Sequence, residues 1–264
     1  MPTRLTAIGS GKGGTGKTFI ATTLGSALAR AGERVLLCDA DVGLSNTQVH
    51  LGLAPGGGLV DVLFDKVSLA EAVVSVCGGA GSKRGFDLIA APAGSGAFAN
   101  LEAGIVERLT QKLRAAKNYD RVLIDLSAGV DARTMAFAKG ADEVLLVLNS
   151  DPAALTDAYA FAKLLLTQSG RVPAMIVNMA ENAADARRTA QSLAKTCRAF
   201  LKTEPPVLGS IPRDPKVAQS VRLQRLVTDA CPGSAAVVAI GAIAAHLSGY
   251  SERKPARPSL SLVR

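Results

Sequence analysis

The chain has 264 residues, 48% of them apolar, so it can bury a sizeable core without disulfide or metal staples. Two histidines, no tryptophan and four widely spaced cysteines (Cys38, Cys77, Cys197 and Cys231) exclude whole classes of chemistry. Ser-His and Cys-His nucleophiles, zinc knuckles, disulfide frameworks and aromatic platforms for single-stranded nucleic acid all lack their residues. The net charge of +8 suits an anionic partner such as DNA or a lipid surface, and equally a basic solvated surface. No charged leader precedes an apolar run, and no run is long enough to span a bilayer, so a cytoplasmic protein with free thiols is expected.

In chain order, "RLTAIG" from Arg4 reads as a strand. A helix follows from Lys17, with Phe19, Ile20, Thr23, Leu24, Ala27 and Leu28 on one face and a stop near Gly32. "RVLLCDAD" from Arg34 is a second strand. The glycine-rich patches "APGGGL" and "GGAGSKRG" read as surface loops, separated from the next helix by a weaker strand candidate, "FDLIAAP" from Phe86. A helix over 101–116 leads into "YDRVLIDL" from Tyr119 and "EVLLVLN" from Glu143. Ser150-Asp151-Pro152 then starts a helix running to Leu166. "PAMIVNM" from Pro173 is a strand, "VLGSI" from Val207 a weaker one, and Ser234–Leu247 is apolar nearly all round, as a packed helix is.

Most of these strands are apolar without alternation, the pattern of strands covered on both faces. The expected fold is therefore α/β, with a doubly wound, mostly parallel sheet and helices on both faces. Residues 1–250 read as one domain without internal repeats, and 251–264 ("SERKPARPSLSLVR") as a flexible basic tail.

The chemistry gathers in "GKGGTGKT". Gly11 to Thr18 fits G-x-x-x-x-G-K-[ST], set between a strand and a helix. Its glycines let successive amides and a helix N-terminus face phosphate oxygens. Lys17 then bridges the outer phosphates, and the Thr18 hydroxyl ligates Mg²⁺. The metal and the attacking water need carboxylates at neighbouring strand ends. Asp39 and Asp41 in "LLCDAD" and Asp125 in "RVLID" supply them, with Asp41 placed on the loop to orient water. Lys12 is a second cation that the loop's own job does not require.

"GKGGTGKT" with Lys12, "DADVGLSN" and "IDLSAG" together resemble the deviant Walker A ATPases of the MinD/ParA family, P-loop NTPases of the SIMIBI type. The resemblance runs from Arg4 to Leu247. It implies a slow Mg-ATP hydrolase that dimerises on ATP, with Lys12 reaching the phosphates of the partner subunit and Asp41 as the hydrolytic aspartate. Asp39, Asp125 and Thr18 become the residues near Mg²⁺. Gly11, Gly13, Gly14, Thr15, Gly16, Lys17 and Phe19 join Lys12 and Thr18 around ATP or ADP. Asn178 and the "IPRD" positions Ile211, Pro212 and Asp214 match adenine-contacting positions.

"LGLAPGGGLVDVLFDKVSLAEAV" and "SDPAALTDAYAFAKLLL" resemble the flagellar FlhG (FleN) group more than the cell-division branch, as does Ser127 where the latter carries proline. That implies a switch setting flagellar number, placement or gene expression through a regulatory or assembly protein, at a pole or at the inner membrane face. The strand opening at Arg4 lacks the preceding extension with which flagellar members stimulate a partner GTPase, which argues against that activity. The alternative is a ParA-type cargo-positioning ATPase on DNA, using the basic run Arg187, Arg188, Lys195, Arg198, Lys202, Arg213, Lys216, Arg222 and Arg225. A solvated helix face explains the same run. Peripheral membrane contact would rest on Arg253, Lys254 and Arg257, in a tail that Pro255 and Pro258 keep from forming an amphipathic helix. A nitrogenase-type reductase would need cysteines placed to hold an Fe–S cluster between subunits, and a small-molecule P-loop kinase would not need Lys12.

Overall fold

A computed structural model describes residues 2–41, 47–54, 58–83, 85–90 and 103–250. The strands are β1 (Arg4–Ser10), β2 (Val35–Asp39), β3 (Val74–Val76), β4 (Phe86–Ala90), β5 (Arg121–Ala128), β6 (Glu143–Leu148), β7 (Ala174–Ala180) and β8 (Val207–Pro212). They form one sheet in the order β3-β4-β2-β5-β1-β6-β7-β8. Every pairing is parallel except β3 with β4.

Alternate residues of each central strand enter two separate apolar cores, which explains why their sequences show no polar face. Leu36, Cys38, Val122, Ile124 and Leu126 point into one core, and Val35, Leu37 and Leu123 into the other. The first core is covered by α3 (Leu59–Leu63), α5 (Ala103–Arg114), α6 (Ala132–Gly140), α7 (Pro152–Ser169) and α8 (Ala183–Leu201). The second is covered by α1 (Lys17–Arg30) and α11 (Ala235–Tyr250). The doubly wound α/β expectation is met.

Individual elements sharpen the expectations. Helix α1 begins at Lys17 and ends at Arg30, two residues before Gly32, which takes φ 97°. Helix α7 passes the expected Leu166 and stops at Ser169, where Gly170 adopts the left-handed conformation of a C-cap. Asp151 caps its start by accepting from the Ala153 amide, with Pro152 as first residue. Helix α11 is packed as its composition demands: Ala236, Ile240, Ile243, Ala244 and Leu247 are buried. A Cβ on Gly209 of β8 would sit 2.8 Å from Ile243 Cγ1, so this strand and α11 approach as closely as glycine allows.

The two weaker strand candidates are β4 and β8, and α5 falls inside the expected 101–116 helix. The short elements α2 (Thr47–His50), α4 (Leu69–Ala72), α9 (Pro215–Arg222), α10 (Val227–Ala230) and β3 carried no clear sequence signal. "GGAGSKRG" is the connection between β3 and β4, with Gly78, Gly79 and Gly81 at positive φ. Residues 55–57 of "APGGGL" and the 251–264 tail lie outside the described residues. The basic run does not make one face. Arg187, Arg188, Lys195 and Arg198 ride on α8, over the first core, whereas Lys216 and Arg222 ride on α9, whose Val217 packs against the second.

Candidate nucleotide site

The sheet order sets β1 between β5 and β6, with β2 beyond β5, so the ends of β1, β5 and β2 lie side by side. Register does the rest: Asp39 pairs with Asp125, and Ile8 with Asp125, across neighbouring strands. The loop from Gly11 to Gly16 leaves the end of β1 over these carboxylates and turns into α1. Two of its glycines are required by geometry. At Gly16, φ is 90°, and a Cβ would collide with Nδ2 of Asn178. At Gly11, a Cβ would collide with the Asp157 main chain, so α7 is seated directly against the loop.

Lys17, the first residue of α1, is buried, and its Nζ donates to Ser10 Oγ over 3.0 Å. Burial pulls its pKa below the usual lysine value, and the charges of Asp125 and Asp41 act against that pull. Thr18 Oγ1 donates to Asp125 Oδ2 at 2.6 Å. Asp39 and Asp125 are each only 1% exposed, close enough for Asp39's charge to disfavour ionisation of its neighbour. Burial, reinforced by Asp39, raises Asp125 to about 7, although Thr18 and Lys17 favour its charged form. Asp41 lies past the strand end: its amide donates to Asp39 Oδ1 (3.0 Å) and its Oδ1 accepts from Ser127 Oγ (3.2 Å).

Two buried oxygens here, Asp125 Oδ1 and Thr15 Oγ1, make no hydrogen bond. Orphaned acceptors cost free energy unless something satisfies them. The Asp125 oxygen, the Thr18 hydroxyl bonded to the same carboxylate, and Asp39 form the hard oxygen set that Mg²⁺ prefers. The residues present therefore fit the cation expected from the sequence.

The other sequence-derived positions divide. Asn178, at 3% exposure, donates from Nδ2 to the Thr15 carbonyl at 2.7 Å, so it braces the loop from β7. Ile211 is fully buried in the second core, Pro212 pairs with Ala180, and Phe19 packs against that core from α1. Asp214 accepts from the amides of Lys216 (3.0 Å) and Ala236 (3.2 Å), joining α9 to α11. Lys12 stands apart from all of them. It is 40% exposed, and its Nζ donates to Asp151 Oδ2 at 2.6 Å. Ser10 and Asp151 are missed by motif reading. Ser10 precedes the fitted loop yet accepts from Lys17 and donates to the Lys12 carbonyl (2.7 Å), and Asp151 carries only a helix-start signal.

A family profile described as "CbiA: CobQ/CobB/MinD/ParA nucleotide binding domain" matches residues 6–227. The chain belongs to the MinD/ParA family of P-loop ATPases. Antiactivator FleN of Pseudomonas aeruginosa is 34% identical over 262 residues, covering 97% of this chain and 90% of FleN. Flagellum site-determining protein YlxH of Helicobacter pylori is 28% identical, covering 87% of this chain and 76% of YlxH. A chain of the Aquifex aeolicus MinC:MinD cell division protein complex superposes with a TM-score of 0.76 at 27% identity, over 97% of this chain and 98% of that one. The Pyrococcus horikoshii MinD complexed with Mg-ADP gives 0.77 at 24% identity over 94% and 97%, a likeness of fold. As a MinD/ParA protein the chain is a nucleotide-binding ATPase, and its relatives include an antiactivator and a flagellum site-determining protein. No described helix is long and apolar enough to cross a membrane.

Proposed function

We propose that this MinD/ParA protein is an ATP-dependent dimerisation switch that regulates flagellar number, placement or flagellar gene expression through a protein partner. The observation that carries the reading is the contrast between its two loop lysines. Lys17 is buried beside Ser10 and the strand-end carboxylates, whereas Lys12 sits at the surface on Asp151, available to a second subunit. A cation presented from a neighbouring subunit would act on transferring phosphoryl oxygens as an arginine finger does in trans. ATP would then both hold the dimer and time its release. The flagellar assignment is supported by the similarity to FleN and YlxH.

In this reading the loop amides from Gly11 to Thr18 hold phosphates and Lys17 neutralises the outer ones. Thr18, Asp39 and Asp125 would hold Mg²⁺, which supplies charge stabilisation at the phosphates when bound. Asp41, steadied by Ser127, orients the attacking water. Asn178, Ile211, Pro212 and Asp214 border the adenine, with Asn178 acting first through the loop it braces.

The test is ATP-dependent dimerisation followed by light scattering, with duplex DNA and liposomes as separate arms. Lys17→Ala should lose nucleotide. Lys12→Ala should bind ATP and stay monomeric. Asp41→Ala should bind ATP and accumulate as a dimer. A Lys12→Ala protein that dimerises normally with ATP would overturn the cross-subunit role. ATP-dependent, salt-steep binding to DNA would favour the DNA-positioning alternative.

A further inference from the structure

We propose that the surface shared by α2 and the end of α9 is a docking site for an acidic, amphipathic helical segment of a partner protein. Its two halves are in contact. A Cβ on Gly52, just after α2, would lie 3.1 Å from both the Cβ and the carbonyl oxygen of Gln224, just after α9. Gln224 itself holds a left-handed φ of 51°, so the chain bends sharply where the halves meet. Val49 on α2 is 56% exposed and Leu223 at the end of α9 is 55% exposed, two large apolar side chains left in water on neighbouring elements.

Charge selects the occupant. From 215 to 228 the sequence has three cations, Lys216, Arg222 and Arg225, and no acid, and 47–54 has no carboxylate. Among the described residues these three cations make no ion pair. The acids nearby in sequence are committed elsewhere. Asp214 serves the Lys216 and Ala236 amides, Asp229 pairs with Arg30, and Glu181 pairs with Arg213. A helix with apolar anchors on one face and carboxylates beside them satisfies both features. Nucleic acid would satisfy the cations alone, because neither 47–54 nor 215–228 carries a tryptophan, tyrosine or phenylalanine to stack on bases.

The surface is also wired to the site. The Thr47 amide, first in α2, donates to Asp39 Oδ2 at 3.3 Å. Reorganisation at Asp39 on nucleotide exchange would shift α2 against Gln224, so affinity for the segment should differ between ATP and ADP. This nucleotide dependence rests on the proposed role of Asp39 in holding Mg²⁺ beside the nucleotide, and the surface itself does not.

The probe is a fluorescein-labelled synthetic helical peptide with leucines on one face and glutamates on the other, titrated with the full chain and followed by anisotropy. A peptide of scrambled order is the control, and light scattering reports ATP dimerisation on the same samples. Val49→Ser with Leu223→Ser, and Arg222→Glu with Arg225→Glu, should each weaken binding by about tenfold while circular dichroism stays unchanged. Arg187→Glu with Lys195→Glu on α8 should leave it as in wild type. The proposal is overturned if the peptide shows no saturable binding, if the scrambled peptide binds equally, if the α8 variant is the weakened one, or if duplex DNA takes the surface in preference. Equal affinity with ATP and ADP, in samples that do dimerise on ATP, overturns the coupling through Asp39. Failure to dimerise overturns the switch reading instead.

Discussion

Lys12 Nζ lies 2.6 Å from Asp151 Oδ2, so the second lysine of the glycine-rich loop is held by the cap of α7. Both side chains are about two-fifths exposed, which makes the pair weak and easily exchanged for a better counter-charge. Asp151 has its pKa pulled down by that hydrogen bond to Lys12 and by the Ala153 amide, so it stays ionised at neutral pH. If Lys12 must reach a partner's phosphates, Asp151 competes with them. Asp151→Asn removes the competing charge and keeps a side chain that caps helices well. The expected outcome is ATP-dependent dimerisation at a protein concentration lower by on the order of a few-fold, read by light scattering. Unchanged dimerisation would show that the pair exerts no control.

The carboxylates at the strand ends make the protein's stability depend on nucleotide and pH together. Asp125 ionises near 3.8 in an unfolded chain and about 7 in the fold, chiefly through burial and then through Asp39. Between those values the folded state holds a proton that the unfolded state has lost. Its contribution to stability is thus complete below about pH 4 and disappears as pH rises through about 7. Urea denaturation of nucleotide-free protein should show that fall, and Asp125→Asn should flatten it, with a gain on the order of a few kcal/mol at pH 8. Mg-ADP should stabilise wild type above pH 7 far more than it stabilises Asp125→Asn.

What the sequence made legible is what repeats or sits close together along the chain. Doubly covered strands show as unbroken apolar runs such as "RVLLCDAD", and eight loop positions suffice to place Lys17 and Thr18 against a strand-end acid. Contacts made by folding alone leave no such trace. Lys12 and Asp151 are 139 residues apart, and Asp157 meets Gly11 through its main chain, which no side-chain pattern records. Strand β3 has three residues, too few to reveal a period, and α2 and α4 have four each. The basic run misleads for a related reason. Its neighbours in sequence are carried by α8 and α9, which cover opposite faces of the sheet.

Asn178 joins a family resemblance to a structural duty that the resemblance does not mention. Its Nδ2 bonds the Thr15 carbonyl from a buried position, directly beneath the left-handed Gly16. Asn178→Ala leaves that carbonyl without its donor, which costs about 1–3 kcal/mol when the group is buried. Nucleotide-free protein should therefore melt earlier, and Kd for ADP and for inorganic pyrophosphate should rise together. A residue acting on the adenine alone would weaken ADP and leave pyrophosphate unchanged.

At the opposite ends of the strands from the P-loop, Arg121 ties α11 to the sheet. The residue is 1% exposed, and its guanidinium meets Glu33 at 2.8 Å, Glu143 at 2.9 Å and Thr6 Oγ1 at 2.9 Å and reaches the Leu247 carbonyl of α11 at 3.4 Å. Ser248 adds a hydrogen bond to Glu33 at 2.9 Å. Burial alone would lower the arginine pKa, but the two glutamates outweigh it and keep the group charged. Arg121→Met leaves two acids facing each other without their cation, and breaking a buried pair in this way costs about 3–5 kcal/mol. Urea denaturation should register that loss, and Glu33→Gln with Glu143→Gln in the same chain should recover part of it by removing the stranded charges. Recovery without a return of hydrogen-exchange protection at Leu247 and Ser248 would show that the arginine's specific task is to tie down α11, with charge balance a separate effect.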